Sequence, residues 1–148
     1  MTQYHYTECG LQNVYINGLP TVTDDDGDEV IHIPFINELH AMIAMGIVKH
    51  AKGMSGAELR FLRSEMGYTQ VELAGLVHKD KQTIGRWERS EIDIDSTSET
   101  VIRKFAIEKL LIPFDDGIES LAKSSVPTAQ PQVIGIDVEG DGYKLQAA

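Results

Sequence analysis

Apolar residues along the first fifty positions follow two different periods. Tyr4-His5-Tyr6-Thr7, Asn13-Val14-Tyr15-Ile16 and Val30-Ile31-His32-Ile33 are rich in β-branched and aromatic residues, and Gly10, Asn17-Gly18 and Asp26-Gly27 separate them with turn chemistry. They predict a small antiparallel sheet. From Pro34 the spacing lengthens: Phe35, Leu39, Met42, Ile43 and Ile47 recur three and four residues apart, which predicts a helix with one apolar stripe. The stripe reads as core or dimer interface, with a docking face for a partner protein as the other reading.

After a short break at residues 52–55 the period stays helical as far as residue 111. Ser55 followed by Glu58 is a capping box for a helix over about residues 55–66, with Leu59, Leu62 and Met66 on its apolar face and Gly67 at its end. Thr69 and Glu72 repeat that signature for a helix of about nine residues that presents Val71, Leu73, Ala74, Leu76 and Val77. Asp80 caps a third helix running from Lys81 through Glu88. A linker over residues 90–96 leads to a fourth at about residues 98–111, with Val101, Ile102, Phe105, Ala106 and Leu110 inward. Beyond Pro113 the chain turns polar, and residues 124–131 read as a flexible connector. Two apolar runs at 133–138 and 143–145, joined by Glu139-Gly140-Asp141-Gly142, predict a hairpin that can extend the N-terminal sheet. There is no internal repeat. The expected fold is α+β in three parts: residues 1–51 a β-module with a helix, for dimerisation or partner binding; 52–113 an all-α domain; 114–148 a polar linker and β-hairpin.

A length of 148 residues with 42% hydrophobic and 24% charged side chains suits one ordinary domain or a small domain with folded appendages, and excludes a multidomain enzyme. The net charge of −10 argues against a polyanionic partner until it is located along the chain. Residues 60–89 carry six basic side chains (Arg60, Arg63, Lys79, Lys81, Arg86 and Arg89) against four acidic ones, so the acidity belongs to the flanks. Such flanks repel DNA and turn only the central segment toward it. The single cysteine, Cys9, cannot form an internal disulfide or a thiolate cage, and there is neither a basic-then-apolar leader nor an apolar window of membrane-spanning length. A cytoplasmic protein with no membrane partner is expected. No nucleophile–base pair, phosphate loop or paired carboxylates stand out, so the expectation is not an enzyme and no cofactor.

The second and third helices are too short to be stable alone and are joined by a three-residue turn, the arrangement of a helix-turn-helix whose second helix is presented to a DNA groove. Residues carry the likeness further. Through Leu62-Arg63, Gly67-Tyr68-Thr69-Gln70, Glu72-Leu73-Ala74, Thr83-Ile84 and Arg86-Trp87-Glu88, the stretch ELRFLRSEMGYTQVELAGLVHKDKQTIGRWERSE resembles the Xre/Cro family of helix-turn-helix repressors. The resemblance covers about 60 residues, roughly 52–111. It implies a five-helix, lambda-repressor-like domain, of bacterial or phage type, that binds double-stranded DNA as a homodimer on a palindromic operator. It places Lys81, Gln82 and Arg86 against base edges, where glutamine can read adenine and arginine or lysine can read guanine. Thr69 and Gln70, at the start of the second helix, are placed at a phosphate, with Thr83 and Arg89 as further phosphate contacts. Leu73, Ala74, Ile84 and Trp87 are the packing that sets the angle between the two helices. Three positions depart from the family: His78 and Lys79 replace a usual glycine and a usual apolar residue in the turn, and Gly85 sits inside the third helix. Gly85 is read as allowing close approach of a DNA or protein backbone.

Tyr6-Thr7-Glu8-Cys9-Gly10 is similar, more weakly, to a zinc knuckle of Xre-type antitoxins, with one cysteine replaced and the second Cys-x-x-Cys pair missing. A closed zinc site needs four ligands, so the module is expected to be metal-free. That likeness implies a second function beside the plain repressor, an antitoxin that binds a toxin protein and autoregulates its operon; an alternative of a different class is an interaction adaptor whose helix-turn-helix has lost DNA binding. His5, His32, His40 and Cys9 otherwise read as packing residues. The acidic run at residues 24–29 lacks the twelve-residue calcium-loop spacing and reads as a solvated hairpin turn.

Overall fold

A computed structural model describes residues 3–51, 53–127 and 132–146. Along the chain run β1 (Gln3–His5), β2 (Val14–Asn17), β3 (Thr21–Thr23), β4 (Glu29–Ile31), α1 (Ile36–Val48), α2 (Gly56–Met66), α3 (Gln70–Val77), α4 (Lys81–Glu88), α5 (Ser96–Lys109), α6 (Ile118–Ser124), β5 (Ile134–Glu139) and β6 (Gly142–Leu145). Among the described residues the fold is therefore mixed α and β, with six helices and two small sheets. No helix is long and apolar enough to cross a membrane.

The larger sheet has the order β1-β2-β5-β6. Strand β2 pairs antiparallel with β1 and parallel with β5, and β5 returns antiparallel as β6. The C-terminal hairpin thus completes the N-terminal sheet, in a register that sets Val14 opposite Ile134 and Ile16 opposite Ile136. These four side chains are buried on one face, while Tyr15, Asn17, Gly135 and Asp137 alternate to the other. Helix α1 covers the apolar face with Leu39, Ile43, Ala44 and Ile47. Gly46 permits the contact: a Cβ there would stand 3.0 Å from Ile134 Cγ2.

Several expectations from the sequence are corrected. The strand around Val30 does not join the others but pairs with β3 in a separate two-stranded ribbon. Its own turn decides this: Asp24 Oδ1 accepts the amides of Asp26 and Asp28 at 3.0 and 2.9 Å, and Gly27 takes φ 84°. Phe35 is not part of the buried stripe. It precedes α1 in a left-handed conformation, φ 53°, with its ring exposed, and Tyr143 Oη donates to the carbonyl of Pro34 just before it. Helix α5 begins at Ser96, two residues early, because Asp95 caps it by accepting the Ser98 amide at 2.9 Å. Its inward face is Ile102, Ala106 and Ile107; Val101, Phe105 and Leu110 are only half-buried. Helix α6 occupies part of the segment expected to be an irregular linker; with Leu121 its single buried residue, it carries no apolar period. Residues 128–131 of the predicted connector lie outside the described residues, as does Lys52 of the predicted break.

A buried polar network joins these parts. Glu58, 0% exposed, accepts the Ser55 amide at 2.8 Å and Asn13 Nδ2 at 3.0 Å, and lies 2.7 Å from His50 Nε2. Arg103, also 0% exposed, pairs with Glu99 at 3.0 Å and donates to the carbonyls of Val48, His50 and Ser124. Glu99 in turn accepts the Met54 amide at 3.2 Å. Removing Arg103 strands a buried carboxylate and these carbonyls. Arg103→Ala is expected to destabilise the fold by about 3–5 kcal/mol in denaturant unfolding, and an effect under about 1 kcal/mol is inconsistent with this network.

Candidate nucleic-acid interface

Helices α3 and α4 meet through a turn of three residues, His78-Lys79-Asp80. His78, where a glycine would be unstrained, adopts φ 58° and ψ 43°, and the next amide, of Lys79, donates to Ala74 O at 2.9 Å. The sequence therefore imposes a left-handed residue on a side chain that merely tolerates it. Lys79 lies 3.8 Å from Asp95 Oδ1 and so ties the turn to the start of α5, which accounts for a cation where an apolar residue was expected.

Both short helices are capped by their own side chains. Thr69 Oγ1 accepts the Glu72 amide at 3.1 Å while Glu72 accepts the Thr69 amide at 2.9 Å, and these bonds hold the Glu72 carboxyl below its ordinary range. Asp80 accepts both the amide and the hydroxyl of Thr83, at 2.8 and 2.7 Å, which lowers its carboxyl as well. Thr83 is thus engaged in the cap, half-buried, rather than free for a phosphate. Leu73, Ala74, Ile84 and Trp87 are all buried between the helices.

With Ile84 and Trp87 turned inward, Lys81, Gln82 and Arg86 stand exposed on the outer side of α4. A second group of side chains gathers where α2, the start of α3 and the end of α4 converge. Arg63 donates to both oxygens of Glu88, at 2.6 and 3.1 Å, and to Tyr68 O at 3.0 Å; Gln70 Nε2 donates to the same carboxylate at 3.0 Å. Arg60, Arg63, Gln70, Gly85, Glu88 and Arg89 line a cleft of about 260 Å³ there. Gln70 is therefore fixed against α4 and not free at the helix end. Arg89 is exposed and pairs with Glu91 at 2.5 Å. Its guanidinium passes over Gly85, where a Cβ would stand 3.0 Å from Nη1. Within the chain, the room left by Gly85 is taken by this side chain and not by a protein backbone.

A scan of protein-family models, a search of curated proteins and a search of solved structures each find no match to this chain.

Sequence reasoning gave no role to Arg60, Arg63, Glu88 or Gly56. Gly56 opens α2 directly beneath the last turn of α4: a Cβ there would come within 2.2 Å of Trp87 O and 2.7 Å of Glu88 O. Its only local signal is a glycine directly after a cap. Away from these helices, the described residues include no group of three or more His, Cys, Asp or Glu side chains placed to hold a metal ion. Cys9 is partly buried, which pushes its thiol up, and His5 stacks on Tyr15 with centroids 4.5 Å apart.

The two glycines predict opposite outcomes. Gly85→Ala displaces only the flexible end of Arg89 and gains helix propensity, so it should raise stability by up to about 1 kcal/mol. Gly56→Ala meets backbone carbonyls and should lower stability by about 1–3 kcal/mol. Thermal unfolding of the two variants checks both signs.

Proposed function

We propose that this protein is a sequence-specific DNA-binding transcriptional regulator, a repressor of the Xre/Cro type, that inserts α4 into the major groove and binds a palindromic operator as a homodimer. The observation that carries this reading is the division of α4. Ile84 and Trp87 anchor the helix to the core while Lys81, Gln82 and Arg86 project from it with no buried partner, a combination with no use in folding. Helices α2 to α5 supply four helices within residues 52–113 for this reading, and α6, beyond that segment, packs on α5.

In this reading the base contacts come from Lys81, Gln82 and Arg86, with guanine the natural partner of the cations and adenine of the glutamine. The start of α3 and the cleft beside it supply the phosphate contact. Free amides at a helix N-terminus favour an anion. Arg60, Arg63 and Arg89 surround that point, Arg63 paired with Glu88 and Arg89 with Glu91, and Gln70 is held among them by the carboxylate it shares with Arg63. A single two-turn helix reaches few bases, so two copies about 34 Å apart are needed for useful affinity.

Selection of bound duplexes from a random pool supplies the operator, and failure to enrich any sequence favours the interaction adaptor instead. On the selected site Arg86→Ala is expected to lose about 1–3 kcal/mol and to relax preference at one base pair. Gln70→Ala is expected to weaken selected and random duplexes alike and, because glutamine carries no charge, to leave the salt slope unchanged. Equal losses on both duplexes for Arg86→Ala would overturn its role as a base reader.

A further inference from the structure

The ribbon β3–β4 is the one part of the described chain without a core of its own. Every residue from Pro20 to His32 is exposed, including Val22 at 44%, Val30 at 40% and Ile31 at 42%, and the apolar exposure continues in the chain at Phe35 and Ile36. A hairpin of two strands is marginal by itself in water. This one is held by the Asp24 turn, with Val22 directly opposite Val30 on one face and both outer edges unpaired. Preformed strands with open edges are templates for another chain.

Charge selects the occupant. Five carboxylates, those of Asp24, Asp25, Asp26, Asp28 and Glu29, stand at the tip, and no lysine or arginine occurs before Lys49. Among the described residues no cation pairs with any of the five. A second copy of this chain would bring five more carboxylates to the same ribbon, and nucleic acid or an anionic membrane would be repelled in the same way. A cationic protein strand meets both features, since its alternate side chains cover the valines while its basic residues reach the tip.

We infer that β3–β4 is a docking surface for a basic protein partner, whose exposed edge strand, alternating β-branched and basic residues, adds to the ribbon. The surface lies apart from α3 and α4, so the inference stands or falls independently of DNA binding.

A phage-displayed library of random short peptides, selected on the full-length protein, tests it. The control is the double variant Val22→Ser/Val30→Ser; because both residues are exposed, its thermal unfolding should match that of the parent. Enriched peptides are expected to be net basic with alternating β-branched residues, to bind the parent about tenfold more tightly than the double variant, and to weaken as salt is raised. Neutral or acidic winners, equal binding to both proteins, or no enrichment would each overturn the proposal. So would self-association of the parent in sedimentation that the double variant loses, because it would make a second copy the occupant.

Discussion

One carboxylate, shut away from water, fixes how the parts of this protein meet. Glu58 is the third residue of α2 and closes its capping box, a local duty that Ser55 and Glu58 together announce in the sequence. Its second oxygen accepts Asn13 from the loop ahead of β2 and lies against His50 beyond α1. A carboxyl group at 0% exposure is tolerable only with such hydrogen-bond partners, so the loop, the end of α1 and the start of α2 are held to one arrangement. Gly56, in the same turn, lies against the carbonyls of Trp87 and Glu88. The attitude of α4 is thus set from below by a turn whose own position depends on Glu58.

Arg103 does for the other side what Glu58 does for this one. Its guanidinium gathers carbonyls from the end of α1 and from α6 onto α5, with Glu99 neutralising it. Buried pairs of this kind contribute less to net stability than to a single choice of packing, because any alternative arrangement leaves a charge without a partner. The outer face of α4 is free to carry polar side chains because the position of the helix is settled elsewhere.

What was legible in the sequence follows the range of the interaction concerned. Caps act over three residues, and Ser55, Thr69, Asp80 and Gly67 each mark the helix boundary they occupy. Hairpin chemistry is equally local, which is why the C-terminal pair β5–β6 was visible. The parallel pairing of β2 with β5 was not, since nothing in Val14 or Ile16 names a partner near residue 134. The same limit applies at the candidate interface. The exposure of Lys81, Gln82 and Arg86 follows from the period of α4, but the partners of Gln70 and Arg89 depend on the meeting of Arg63, Glu88 and Gly85 in space. The hydroxyl of Thr83 has a nearer acceptor in its own cap, Asp80, a contact as local as the cap itself.

The parallel pair β2–β5 also imposes an order of events. While the chain is being synthesised, α2, α3, α4 and α5 have their mutual contacts within residues 56–109 and can assemble as soon as those have emerged. Val14 and Ile16 must wait, with one edge of β2 bare, for a strand made more than a hundred residues later. Until β5 arrives the sheet has only β1 and β2, and the apolar face of α1 lacks the strands it packs against in the finished fold. The proposed DNA-reading helices are thus the early-folding part of the molecule, and the sheet beside them can close only once β5 has been made.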